Sequence, residues 1–217
     1  MILDLLFPNR CLHCNRIIEA DLLVCNLCFG YIQFTHYDYS QNNPVKEQCK
    51  LFFPVENAYA LIRFEKDSLN QKIIHELKYR NREITGKTLA EWTTERLDFK
   101  DQKPDLLANV PLHPKKMRER GYNQLHLYTE ILSKYYEIPF DHQLLKRNYY
   151  SKAQALKDKK NRLENTNTFS ITQPVTGKHI LLIDDVFTTG TTVSSIAWDI
   201  LNAGDNKVSV LVMAMDI

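Results

Sequence analysis

Asp184 and Asp185 stand side by side, and Thr188-Thr189-Gly190-Thr191-Thr192 follows two residues later. Adjacent carboxylates can accept hydrogen bonds from the vicinal hydroxyls of a sugar, or hold a magnesium-bound water. A hydroxyl-rich turn built on a glycine offers donors to an anion such as phosphate, and the glycine lets the backbone close without a Cβ clash. Thr191 or Thr192 is placed to cap a following helix. Far upstream, Cys11, Cys14, Cys25 and Cys28 form C-x2-C-x10-C-x2-C. Two such knuckles can close a tetrahedral thiolate site around zinc. A redox pair and a disulfide clip are the alternatives. A segment of about thirty residues cannot bury a core of its own, which favours the metal staple. His13 lies between two of these cysteines and reads as exposed. Cys49 stands apart and reads as a half-buried thiol.

The elements that must hold these groups follow from periodicity. The apolar run from His179 into the two acids suits a strand buried on both faces in mid-sheet, ending at the carboxylates. Val193 to Leu201 is amphipathic and reads as a helix. Ligands of open α/β sheets bind beyond the carboxyl ends of strands, where this acidic edge would lie. Ala58 to Phe64, Leu106 to Leu112, Phe169 to Ile171 and Lys207 to Met215 read as further strands. Leu69 to Tyr79, Lys87 to Leu97 and a segment closing at Ile131 to Tyr136 read as helices. Gly86-Lys87-Thr88 has neither a preceding strand nor the first glycine of a nucleoside-triphosphate loop, since Asn81 occupies that position. Tyr31 to Leu51 reads as a connector. For the central stretch, a Walker B-like strand or an ordinary strand with a polar end are the competing readings.

Two basic stretches remain. Lys115, Lys116, Arg118 and Arg120 place four cations within six residues, ahead of Gly121-Tyr122-Asn123-Gln124. The segment from Leu144 to Asn167 holds seven cationic side chains, Arg147 and Lys152 among them, against Asp158 and Glu164, with Tyr149 and Tyr150 interleaved. A solvated loop is the bland interpretation of each. A long loop inside a compact domain is more often functional or disordered.

The acidic pair and threonine turn resemble the phosphoribosyl-pyrophosphate loop of type I phosphoribosyltransferases. The resemblance implies that Asp184 and Asp185 hold the ribose hydroxyls and that Thr188, Thr189, Gly190, Thr191 and Thr192 bind the 5′-phosphate. P-L-H-P-x-x-x-R-x-R-G-Y-N-Q, at residues 111–124, is similar to the signature of the ComF family, bacterial phosphoribosyltransferase-like proteins tied to DNA uptake and competence. Lys78-Tyr79, Gln154-Ala155-Leu156 and the four-cysteine site also resemble that family's pattern, so the landmarks span nearly the whole chain. The fold implied is a type I phosphoribosyltransferase-like parallel α/β sheet flanked by helices (37–217), with a small N-terminal four-cysteine zinc knuckle (1–36). Magnesium is expected with the pyrophosphate. Lys78, Tyr79, Arg118, Arg120, Arg147 and Lys152 are candidate contacts for pyrophosphate or another polyanion.

An enzyme on this plan would displace pyrophosphate from the ribose; no residue is marked as nucleophile or base, and the acceptor is open. The rival is a non-catalytic ligand-sensing or single-stranded-DNA-binding module working with competence proteins, since cations and aromatics interleave after Leu144. Composition restricts the setting. The apolar fraction of 44% suffices for a core, the net charge is +2, and no uninterrupted apolar window long enough to span a membrane occurs. Met1-Ile2-Leu3-Asp4 makes a poor signal peptide, and five cysteines, an odd number, suit a reducing cytoplasm.

Overall fold

The computed structural model describes residues 8–79, 82–148 and 168–216, and of Tyr79 and Arg82 the backbone. One parallel sheet has the order β1 (Ala58–Phe64), β7 (Lys207–Asp216), β6 (His179–Phe187), β2 (Leu106–Asn109), β3 (Phe140–Asp141). β4 (Leu145–Arg147) and β5 (Phe169–Ile171) form a separate antiparallel ribbon. The expected architecture, a parallel sheet with helices on its faces and a four-cysteine cluster at the N-terminal side, is present.

The helices are α1 (Asn26–Phe29), α2 (Pro44–Lys50), α3 (Leu69–Tyr79), α4 (Arg82–Thr94), α5 (Pro114–Arg120), α6 (Leu125–Tyr136) and α7 (Thr191–Asn202). Strand alternation divides the core between two faces. Leu181 and Ile183 of β6 pack with α3, α4 and α6 through Ile74, Leu89 and Tyr128. Ile180 and Leu182 pack with α2 and α7 through Val45, Ile196 and Ile200. All four β6 side chains are fully buried, as a strand clothed on both sides requires. The free edge of β1 is covered by residues 33–35: Thr35 N–H donates to Leu61 O at 3.0 Å and Arg63 N–H to Gln33 O at 3.0 Å. That cover removes an exposed pairing edge.

Several boundaries differ from those expected. The stretch read as a connector contains α2: the Asn43 side chain accepts the Lys46 N–H at 3.1 Å and Pro44 opens the first turn, a start signal present in the sequence. Cys49 lies on that helix and is fully rather than half buried; burial pushes its thiol up to about 12. β2 stops at Asn109, before Pro111, which has no N–H to give a ladder. Gly86-Lys87-Thr88 lies within α4, as its lack of a strand and first glycine implies.

Candidate functional site

β6 and β2 are neighbours whose connections leave in opposite directions, β6 through α7 to β7 and β2 through α6 to β3. α6 and α7 pack on opposite faces of the sheet. A crevice therefore opens between the carboxyl ends of these two strands, the general place for a ligand in such sheets. β2 ends opposite Ile183, and the Val110 N–H still donates to Ile183 O at 2.9 Å. β6 continues to Phe187 along β7. The acids thus lie within the strand, three and two residues before its end, and emerge where β2 has stopped covering that side.

Because Asp184 and Asp185 are still in extended backbone, they point to opposite faces. Asp185 faces α3 and α6. Lys78 Nζ lies 3.0 Å from its Oδ2, and Gln124 Nε2 donates to the same oxygen at 2.7 Å. Gln124 Oε1 in turn accepts from Arg120 Nη1 at 2.9 Å. Asp184 faces the other way and lines the cradle formed by Val186 to Val193. Its Oδ1 accepts the Asp185 N–H at 2.8 Å. Although part of its surface is accessible, crowding by protein atoms and then the charge of Asp185 push its carboxyl up to about 8.

The turn after β6 is shaped by Gly190. Its φ is +71°, and a Cβ there would lie 2.9 Å from Phe187 Cζ and 3.5 Å from Phe52 Cδ2. Both conformation and space demand glycine. Gly190 is also the N-cap residue of α7, so neither Thr191 nor Thr192 is the cap; Thr191 is the first helical residue, and the N-cap carries no side-chain hydrogen bond. Thr189 and Thr191 hydroxyls lie 3.0 Å apart. A twelve-residue helix thus begins without a capping side chain behind a ring of hydroxyls, the environment a phosphate would complete.

The R-x-R-G-Y-N-Q run forms the corner beside this crevice. Gly121 ends α5 at φ +74°, donating to Met117 O at 2.7 Å. Tyr122 Oη donates to Leu77 O at 2.8 Å, tying the corner to α3. The buried Asn123 accepts the Leu125 N–H at 3.0 Å. Lys78 and Arg120 are therefore brought to Asp185, directly and through Gln124. Arg118 is exposed on α5. Arg147 lies over the Phe169 ring, 5.1 Å from its centroid, on the ribbon. The Tyr79 side chain, Lys152, Tyr149, Tyr150 and the cations 157–162 lie outside the described residues. Gln124 is the site residue that composition and periodicity do not single out; its place in the R-x-R-G-Y-N-Q run was the available signal.

At the N-terminal side, the four sulfurs of Cys11, Cys14, Cys25 and Cys28 lie within 4.8 Å of one another, with Cys14 and Cys25 Sγ 3.8 Å apart. Zinc–sulfur bonds of about 2.3 Å at tetrahedral angles separate sulfurs by about 3.8 Å, so the donor set and its size fit zinc. Asn15, at φ +62°, turns the first knuckle, its N–H donating to Cys11 O at 2.9 Å. α1 turns the second, with Cys28 N–H on Cys25 O at 2.9 Å. His13 is exposed and stacks on Tyr31 rather than joining the sulfurs. Leu23, Val24 and Ile32 of this segment are buried in the same cluster as Leu89 and Trp92.

Comparison with known proteins bears on both regions. Residues 2–39 match the double zinc ribbon domain family; with the thiol cluster, this supports structural zinc. The chain is 32% identical over 144 residues to DNA utilization protein YhgH of Escherichia coli K12, spanning 64% of this chain and 63% of that protein. It is 28% identical over 227 residues to Competence protein F of Haemophilus influenzae, spanning 94% of this chain and 96% of that one. It is 35% identical over 100 residues to Competence protein ComFC of Bacillus subtilis, 46% and 39% of the two chains. The chain thus spans less than two thirds of the first relative's length. The resemblance to the ComF family read from residues 111–124 is borne out by these homologues. A solved structure described as the allosteric regulatory enzyme of purine biosynthesis aligns at 21% identity and TM-score 0.40 over 64% of this chain and 30% of that one, a likeness too low to carry an argument. No helix among the described residues is long and apolar enough to cross a membrane.

Proposed function

We propose that this chain is a ComF-like protein of the phosphoribosyltransferase type, binding phosphoribosyl pyrophosphate with magnesium at the carboxyl end of β6 and serving DNA uptake. The observation that carries the reading is the conjunction at one strand end of Asp184, with its carboxyl pushed up to about 8, and the uncapped, glycine-dependent turn. Thr188 to Thr192 would hold the 5′-phosphate, with the N-terminus of α7 supplying N–H groups and a favourable dipole. Asp184 would accept hydrogen bonds from the ribose hydroxyls. Asp185 would join it after exchanging Lys78, which then becomes available to the pyrophosphate. Lys116, whose charge already acts on Asp184, adds to the field that stabilises the leaving anion. The one group of His, Cys, Asp and Glu side chains able to converge on a metal among the described residues is the thiolate set. Magnesium would thus come bound to pyrophosphate oxygens with most of its water retained. Thiolates kept as metal ligands suit a reducing cytoplasm.

The names competence protein and DNA utilization protein, carried by the homologues, favour a second reading in which single-stranded DNA is a ligand of the basic segment after Leu144. Cations tracking phosphates and tyrosines stacking on bases would supply the contacts. Titration of the full chain with phosphoribosyl pyrophosphate, with and without magnesium, tests the first reading. Salt-dependent DNA binding tests the second.

A further inference from the structure

His126 lies in the first turn of α6, and His142 directly follows β3, so both belong to the carboxyl edge of the sheet that also carries Asp184. Their rings stack, with centroids 3.9 Å apart and planes within 10°. His142 is pinned from beneath. Asn109, buried at the end of β2, donates Nδ2 to the buried Thr129 Oγ1 at 2.6 Å. Its Oδ1 is left to accept His142 Nδ1–H at 2.6 Å. His142 Nε2 then faces Glu130 Oε1 at 3.1 Å. With Nδ1 already donating, that contact is a hydrogen bond only when a further proton sits between ring and carboxylate.

His126 itself lines an open cleft of about 840 Å³ with Gln124, Tyr122, Glu83, Glu130 and Met117. Gln124 is shared: its amide bonds Asp185 on one side and walls the cleft on the other. Glu83 and Glu130 bring two carboxylates to the lining. Such a wall disfavours an anion and accepts a neutral ring or amine, the converse of the phosphate cradle. Among the described residues, the titratable groups around His126 are His142 and Glu130, with Glu83 from α4 and Tyr122 from the α5–α6 corner. Burial, and then the stacked His142, hold the His126 imidazole below its usual range, which leaves a neutral ring nitrogen ready to take a proton at pH 7.

We propose that this cleft binds the acceptor of the transferase reaction as a neutral ring or amine whose reacting nitrogen carries a hydrogen, and that His126 receives that hydrogen. The inference rests on the phosphoribosyltransferase reading above. In the step, the acceptor nitrogen's electron pair forms the bond to C1 of the ribose. The C1–oxygen bond breaks and pyrophosphate leaves with its pair. The N–H proton passes to the neutral His126 imidazole and from there to solvent. No other reactant is needed.

The test uses the full chain with its zinc, magnesium phosphoribosyl pyrophosphate, and five acceptors: adenine, hypoxanthine, ammonia, nicotinamide (whose ring nitrogen carries no hydrogen) and the anion orotate. Pyrophosphate release is the readout, and calorimetry of phosphoribosyl pyrophosphate alone is run beside it. Release is expected with at least one of the first three and with neither of the last two. His126→Gln should lower turnover about 100-fold and remove the acid limb of the pH profile, with phosphoribosyl pyrophosphate binding unchanged. His142→Gln should keep turnover and move that limb to higher pH, and it serves if His126→Gln does not fold. The inference is overturned if His126→Gln stays within threefold of wild type, or if the limb stays put in His142→Gln. It is also overturned if wild type binds phosphoribosyl pyrophosphate yet turns over none of the five, or only nicotinamide or orotate. Failure to bind phosphoribosyl pyrophosphate at all would instead strike the reading of the β6 site, and this inference with it.

Discussion

Asp184→Asn should make the protein more stable at pH 8 and leave it close to wild type at pH 4. The carboxyl of Asp184 is pushed from 3.8 to about 8 in the folded chain, by burial first and by Asp185 second. A folded-state value above the unfolded one means that the native protein binds more protons between those two limits. Stability therefore falls as pH rises from about 4 to about 8, and the deficit is complete above the upper limit. The shift of about four units, at about 1.4 kcal/mol each, sets a ceiling of about 6 kcal/mol. Water reaches part of this side chain, and screening at that exposure reduces the figure to about 2 kcal/mol. Asparagine keeps an oxygen for the Asp185 N–H and removes the charge. For a chain of this size, about 2 kcal/mol corresponds to a rise of about 4–8 °C in Tm at pH 8. Thermal unfolding of both proteins from pH 4 to pH 9 is the assay. A variant that is destabilised at pH 8, or whose difference from wild type does not grow with pH, would refute the account of this carboxylate. The same variant should lose affinity for phosphoribosyl pyrophosphate, a gain of stability at the expense of function.

Cys25→Ser should abolish zinc binding and release residues 8–36 from the core they share with Leu89 and Trp92, exposing Trp92 and red-shifting its fluorescence; wild-type protein containing no zinc on metal analysis would contradict this. Gly190→Ala forces a Cβ to 2.9 Å from Phe187 at positive φ and should destabilise by about 1–3 kcal/mol, read by urea unfolding; a neutral effect would mean that the turn is not so constrained. Changing Lys157, Lys159 and Lys160 together to Gln should flatten the salt dependence of single-stranded-DNA binding by about 2 units if each touches a phosphate, and an unchanged slope in the salt titration would remove DNA contact from these residues.

The strands were largely legible from residue patterns. Ala58–Phe64 and Phe169–Ile171 are strands over the residues whose alternation and flanking turns mark them, and the buried run of β6 ends in its acids as an apolar strand with a polar edge should. The clustering of the four cysteines was legible because cysteine spacing is a local signal. α2 was missed, although Asn43-Pro44 announces it, because its short polar sequence has too few apolar positions to show a period. The direction of the two carboxylates was not legible. Asp184 and Asp185 separate because β7 holds β6 extended through Phe187, and strand length is set by a partner distant in sequence. The stacked pair His126 and His142 was hidden for the same reason, and Gln124 was marked only by its place in the R-x-R-G-Y-N-Q run. Their partners Asp185, Asn109 and Glu130 come from other elements or another turn, and nothing in residue type marks them until the corner after α5 is folded.

The central claim is that the end of β6 is a phosphoribosyl pyrophosphate site. Isothermal titration of the zinc-loaded chain with phosphoribosyl pyrophosphate tests it most directly, run with magnesium and with chelator for wild type and for Asp184→Asn with Asp185→Asn. The account predicts saturable, magnesium-dependent heat in the wild type and none in the double variant, which should remain folded because both side chains reach solvent at the carboxyl edge of the sheet. Equal affinity in the two proteins, or wild-type binding indifferent to magnesium, would contradict it.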